Sequence, residues 1–383
     1  MSKLKILHTA DNHLGSKCSF LADYAATRTN DFFKAFQNII NTAISNSVNL
    51  FVLAGDLFDS PHPPLSLVQS VKSEFTKLKQ NGIEIALIAG THDDLIPSDS
   101  VYHDSFWDDF IFLKDPVLQQ PHSINIQGIP IHIYGISYNT LNIQNPLPSL
   151  KRREGNGLHL GLLHCSIQNS PEWNIMPKDL PCSTEDLFAL GLNFIGLGHY
   201  HNYRLYENNN APSGSHPLQL ISYCGSSEGK KFHESDERYV NVLTYDSEKL
   251  LIEKHPVQIK KMRDVEIDLL SVTDIQHLKN KIQEISGPDI LAKITLKGEI
   301  DFPLHLEPLE EECRKDFTYL KLVDETDLYQ KYPVHNIEQE KTIRGLYVRK
   351  IQEKIKSNPE LKDVYERALK ETLNYFAKDH NAY

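Results

Sequence analysis

The chain has 383 residues, 40% of them apolar and 24% charged, with a net charge of −11. This length points to two or three domains, no apolar run approaches a membrane span, and the negative balance argues against a protein that coats nucleic acid by bulk charge. Five scattered cysteines (Cys18, Cys165, Cys182, Cys224, Cys313) without a C-x-x-C pair argue against a disulfide scaffold or zinc ribbon, and the opening residues lack a secretory leader's long apolar core, so a cytoplasmic location is expected.

Apolar runs bounded by Gly and Asp predict strands at Leu4–His8, Val48–Leu53 and Ile83–Ala89, separated by helices at Ala25–Ser45 and Leu65–Lys79. Pro61, Pro63 and Pro64 precede the second helix. Further strands are expected at Ile124–Ile126, Ile131–Tyr134, Leu158–Leu163, Phe194–Leu197, Leu218–Ser222, Val240–Tyr245 and Leu250–His255. Continuous apolar runs suit sheets covered on both faces, so residues 1–256 read as an α/β domain. Residues 257–325 read as a small second α/β unit: strands at Asp264–Leu269, Ile290–Leu296 and Thr318–Val323, a helix at Asp274–Ile285, and a mixed acidic segment at Leu304–Cys313. In residues 326–383, Thr342–Ile355 and Leu361–Phe376 read as two charged helices split at Asn358-Pro359.

The chemistry lies in five short segments, each placing Asp or His directly after a strand-like run. They are Asp11-Asn12-His13, Gly55-Asp56-Leu57-Phe58-Asp59, Gly90-Thr91-His92-Asp93, His164, and Gly198-His199-Tyr200-His201. A buried strand holds a ligand with little positional error. Asp-x-His and His-x-His put alternate side chains on one side of an extended segment. Mixed imidazole and carboxylate suits manganese, iron or zinc better than calcium or magnesium. His8 reads as a strand residue, and His159 competes with His164, which ends its strand. Asp59 has a plainer reading as a turn cap.

In this order the five segments resemble the calcineurin-like metallophosphoesterases, and within them the SbcD branch of DNA-repair nucleases. The run Leu7-His8-Thr9-Ala10-Asp11-Asn12-His13-Leu14-Gly15 and the segment Gly55–Asp59 carry the likeness. Tyr223–Phe232 and Thr342–Val348 are similar to YhaO-like bacterial members. The resemblance implies a sandwich of two mixed β-sheets flanked by helices, with a small α/β capping domain and C-terminal helices. It implies a metal-dependent DNA exo- or endonuclease of break repair that uses two divalent cations, most readily Mn2+. Asp11, His13 and His201 would hold the first cation and Asp56 would bridge both. His164 and His199 would hold the second, and His92, oriented by Asp93, would protonate the leaving oxygen. One position departs: the family has asparagine as a second-site ligand where this chain has Thr91. The remaining readings are a small-molecule phosphodiesterase and a DNA-end-binding subunit with an impaired second site.

The resemblance also implies DNA, an SbcC-like or YhaN-like coiled-coil ATPase and a second copy of the chain as partners, with no membrane. The chain has no G-x-x-x-x-G-K-[ST] loop, so any ATP-driven step belongs to another chain. The apolar face of Thr342–Ile355 (Ile343, Leu346, Tyr347, Ile351, Ile355) either docks that partner or packs internally. Of the small basic clusters (Lys151-Arg152-Arg153, Lys230-Lys231, Lys260-Lys261 with Arg263), Lys230-Lys231 is the candidate phosphate contact; such clusters also occur as plain solvated surface.

Overall fold

A computed structural model of the chain describes residues 3–138, 145–168, 176, 179–208, 219–234, 237–246, 249–298, 304–326 and 337–378. It divides into two compact units, Met1–Met262 and Arg263–Tyr383.

Two six-stranded mixed sheets make the first unit. One contains β1 (Leu4–Thr9), β2 (Leu50–Ala54), β3 (Glu84–Ile88) and β4 (Ile111–Phe112) as parallel neighbours. The other contains β5 (His122–Ile126), β6 (Ile129–Gly135), β7 (Leu158–His164), β10 (Phe194–Gly198), β11 (Arg204–Glu207) and β12 (Leu220–Tyr223) in the order β11-β12-β10-β7-β6-β5. There β6, β7, β10 and β12 run parallel, with β5 and β11 antiparallel at the edges. A two-stranded ladder of β8 (Ser166–Ile167) and β9 (Pro181–Cys182) follows β7. The chain then returns to the first sheet, where β13 (Tyr239–Tyr245) lies antiparallel to β1 and β14 (Leu250–Pro256) lies beyond it.

The two-residue period of the strands explains their near-continuous apolar sequences. Leu158, Leu160 and Leu162 turn into a core shared with Ile6, Leu50, Val52 and Ile88 of the first sheet. The alternate residue Leu163 joins Ile195, Leu197 and Tyr223 in a second cluster with Leu187 of a short helix, α3 (Thr184–Phe188). Both faces are therefore covered. The helices α1 (Ala25–Ser45) and α2 (Leu65–Gln80) bury Phe32, Phe36, Ile39, Val71 and Phe75, spaced three or four residues apart. The expectation of two mixed sheets with flanking helices holds.

The second unit is built on a three-stranded sheet in the order β15-β16-β17 (Lys261–Asp268, Gly287–Gly298, Phe317–Thr326), whose first strand begins with the last two residues of the first unit. Its core joins Ala292, Ile294 and Leu320 to Leu278 and Ile282 of α4 (Ile275–Ile285). The acidic segment read as mixed is a helix, α5 (Leu306–Arg314). Leu309 and Cys313 lie four residues apart on its buried face, and Glu310 accepts a bond from Leu322 N–H at 2.8 Å, so one acidic residue faces inward. At the C-terminal end, α6 (Ile343–Ser357) packs on α7 (Lys362–Lys378) through Val348, Leu369 and Leu373, while Ile343 stays 77% exposed. Leu218, read as the start of a strand, lies outside the described residues; β12 begins at Leu220.

Candidate metal centre

The carboxyl ends of β1, β2, β3, β7 and β10 lead into the five segments. Beyond the sheet, the first two segments are held to each other by backbone bonds. Asp11 N–H donates to Gly55 O at 3.1 Å, His13 N–H to Asp56 O at 3.0 Å, and Asp59 N–H to Leu14 O at 3.0 Å. Asp11, His13 and Asp56 have φ of 50°, 45° and 52°, the left-handed region that side chains seldom adopt. Strain of this kind persists where surrounding structure enforces it, commonly at functional sites.

Glycine allows the close approach. A Cβ at Gly90 would stand 2.2 Å from Asp56 Oδ1, and one at Gly198 would stand 2.1 Å from Ala54 O and 2.8 Å from His164 Nδ1. Without those atoms, three groups of potential ligands assemble with donor atoms within 4.8 Å of one another. They are Asp11, His13 and His201; His13, Asp56 and His92; and Asp11, Asp56 and His164. His199 stands beside them, its ring 5.3 Å from that of His164 and its backbone N–H donating to both Asp11 carboxylate oxygens at 3.0 Å. The Thr91 hydroxyl lies 3.3 Å from Asp56 Oδ2 and 3.4 Å from His164 Nε2.

Burial pushes the Asp11 carboxyl up to about 7. Burial also pushes the imidazoles of His13 and His199 down to about 3. At His164 burial acts downward too, but the Asp56 carboxylate outweighs it and lifts the ring to about 10. Burial raises Asp56, yet the surrounding imidazoles hold it well below the usual carboxylate range. Two carboxylates and several imidazoles are thus packed into a site where their own charges are poorly solvated, which a cation relieves.

The donor geometry fits divalent cations. His13 Nε2 and His201 Nε2 face each other at 3.0 Å. On the far side of each ring, Nδ1 lies 3.0 Å from a carboxylate, Asp59 for His13 and Glu234 for His201. Rings that give Nδ1–H to a carboxylate turn two Nε2 lone pairs toward one another, as ligands to one cation do. His164 follows the same pattern, with Nδ1–H donating to Ala54 O at 2.9 Å and Nε2 3.4 Å from Asp56 Oδ2.

Other expectations on side chains change. Asp93 does not hold the His92 ring: its carboxylate accepts from Gly90 N–H at 2.8 Å, Phe58 N–H at 3.1 Å and the Tyr102 hydroxyl at 2.7 Å. It locks the turn that carries His92, because a buried carboxylate satisfies the nearest N–H groups first. The His92 ring is 44% exposed and neighbours Asp59, with Nδ1 3.4 Å from its carbonyl and 3.5 Å from Oδ1. His159 sits at the start of β7 and bonds the Tyr134 hydroxyl at 2.8 Å, away from the ligand groups. Asp59 contacts His13 and Lys230 rather than capping its turn, and sequence reading missed Glu234 altogether. Glu234 lies in a polar loop after β12 with no strand or motif to mark it.

The family model described as calcineurin-like phosphoesterase matches residues 4–251. The DNA double-strand break repair protein Mre11 of Sulfurisphaera tokodaii is 25% identical over 78% of this chain and 75% of its own length. The uncharacterized metallophosphoesterase YhaO of Bacillus subtilis is 25% identical over 62% of this chain and 56% of its own. The Mre11 of Methanosarcina mazei is 26% identical over 67% of this chain, which spans only 38% of that relative's length.

Proposed function

The chain belongs to the calcineurin-like phosphoesterase family, a family of metal-dependent enzymes, and we propose that it is a DNA nuclease of break repair or end processing. The observation that carries the reading is the convergence of Asp11, His13, Asp56, His164 and His201 at the carboxyl ends of parallel strands from two sheets. The likeness to proteins named for DNA double-strand break repair supplies the substrate class.

Under this reading Asp11, His13 and His201 hold one divalent cation and Asp56 bridges to a second, held by His164, His199 and Thr91. Manganese is the expected metal. When bound, the cations supply Lewis-acid charge at phosphoryl oxygens and lower the pKa of water. The chain's own residues then divide the remaining work. Asp56 Oδ1 accepts the His92 backbone N–H at 2.7 Å, tying the exposed imidazole to the bridging carboxylate. In this proposal His92 gives a proton to the leaving oxygen, a role worth about 10²–10⁴ in rate. Asp93 and Tyr102 keep the turn in shape.

Residues 257–325 serve in this proposal as the small capping domain, and residues 326–383 dock a coiled-coil ATPase. The helices α1 and α2 face a second copy of the chain. Among the described residues no helix is long and apolar enough to cross a membrane, and a cytoplasmic location belongs to the same proposal.

The test is cleavage of linear duplex DNA across a manganese titration. Cleavage that disappears in His92→Ala supports the proposal; a folded, cation-loaded protein that never cuts DNA overturns it. Hydrolysis of bis-p-nitrophenyl phosphate without DNA cleavage would select a small-molecule phosphodiesterase. Thr91 favours a second reading, a DNA-end-binding subunit whose second site is weak, because a hydroxyl is a poorer ligand than an amide oxygen. A Thr91→Asn variant that gains orders of magnitude in turnover selects that reading.

A further inference from the structure

A closed circuit of contacts surrounds the two facing imidazoles. From His201 it runs through Nδ1 to Glu234 Oε1 at 3.0 Å. Glu234 Oε2 accepts the Lys230 backbone N–H at 2.9 Å, and Lys230 Nζ donates to Asp59 Oδ1 at 2.7 Å. Asp59 Oδ1 lies 3.0 Å from His13 Nδ1, and His13 Nε2 faces His201 Nε2 at 3.0 Å, which closes the circuit. His13 and Glu234 are almost wholly buried, and Asp59 and Lys230 are 25% and 15% exposed.

We infer that Asp59 and Glu234, tied together through Lys230, are positioning residues that set the ring orientation and tautomer of His13 and His201 so that both present Nε2 to one divalent cation. This rests on the metal-site reading above. The chemistry at His13 Nδ1 decides between two states. Lys230 Nζ is 3.2 Å from that atom, and an ammonium can only donate. If Lys230 donates to Nδ1, the ring proton stands on Nε2, which then cannot ligate. If Nδ1–H donates to Asp59, Nε2 is free, and Asp59 Oδ1 also receives the lysine. Asp59 is the group that makes the second state available. Its turn does not need the side chain, since its own backbone N–H already reaches Leu14 O. Glu234 does for His201 what Asp59 does for His13, and its second oxygen fixes the backbone from which Lys230 reaches back.

The full-length chain is tested as Asp59→Asn and as Glu234→Gln, titrated with cobalt(II) by calorimetry and visible absorption. Histidine 15N shifts are recorded on the metal-free proteins. Each variant is expected to bind the tighter cation at least tenfold more weakly, since loss of such a partner lowers metal affinity about 10–100-fold. Asp59→Asn is expected to move the His13 proton from Nδ1 toward Nε2, a change that a merely structural role would not produce. Affinities within twofold of native, with unchanged tautomers, overturn the inference and leave the phosphoesterase reading standing. A native chain that binds no divalent cation overturns both. If Glu234→Gln does not fold, the partly exposed Asp59→Asn carries the test alone.

Discussion

His164 Nδ1–H donates to the carbonyl oxygen of Ala54, the last residue of β2, at 2.9 Å. A candidate ligand from one sheet is thereby held by the backbone of the other, and its Nε2 is directed at Asp56. Because a carbonyl only accepts, Nδ1 keeps its proton, and Nε2 is the nitrogen that gives one up when a cation binds. His164→Gln is expected to keep the fold and lower affinity for the weaker cation at least tenfold, read by calorimetric manganese titration. Unchanged affinity would remove His164 from the site.

Thr91 offers one hydroxyl between Asp56 and His164. Native protein is expected to bind two cations with clearly unequal affinities. Thr91→Asn should strengthen the weaker site about tenfold or more, because an amide oxygen is a better ligand than a hydroxyl. Equal native affinities would show that threonine is no handicap.

His92 is exposed and bonded weakly, so His92→Ala should cost little stability, within about 0.5 kcal/mol in urea unfolding. Its cost in kcat should reach about 100-fold or more. A variant that unfolds early but cuts at the native rate would reverse this assignment.

Gly90→Ala places a methyl 2.2 Å from Asp56 Oδ1 and 2.5 Å from Asp56 N, both parts of the site itself. The loops must separate, and cation affinity should fall at least tenfold while far-UV circular dichroism stays native. Retained affinity would show that the loops yield without cost.

Arg28 and Glu228 are both fully buried and meet at 2.6 Å, and Arg28 also donates to Gly229 O at 2.7 Å. This pair fastens α1 to the loop that carries Lys230. Removing one partner strands a buried charge, so Arg28→Met should destabilise the chain by about 3–5 kcal/mol, measured by urea denaturation. Adding Glu228→Gln to that variant should recover part of the loss, and a fully additive double variant would argue against direct pairing.

Much of this was legible in the sequence because it is local. Apolar runs of five or six residues ending in Gly-Asp or Gly-His specify buried strands with side chains presented at their ends. The three- and four-residue spacing of Phe32, Phe36 and Ile39 specifies a helix with one buried face. Acidic Leu306–Arg314 escaped because its helix depends on tertiary burial of Leu309, Cys313 and Glu310 rather than on a strong local pattern. The partners of the ligands were hidden for a different reason. Glu234 meets His201 and Lys230 meets Asp59 across 33 and 171 residues of chain, and no spacing rule links positions that far apart. The sequence by itself determined which residue types stand at the strand ends. Only the tertiary structure decided which of them face one another, which imidazole nitrogen points inward, and that Asp93 serves the turn rather than His92. Those choices depend on hydrogen bonds that exist once the loops at the strand ends have packed together.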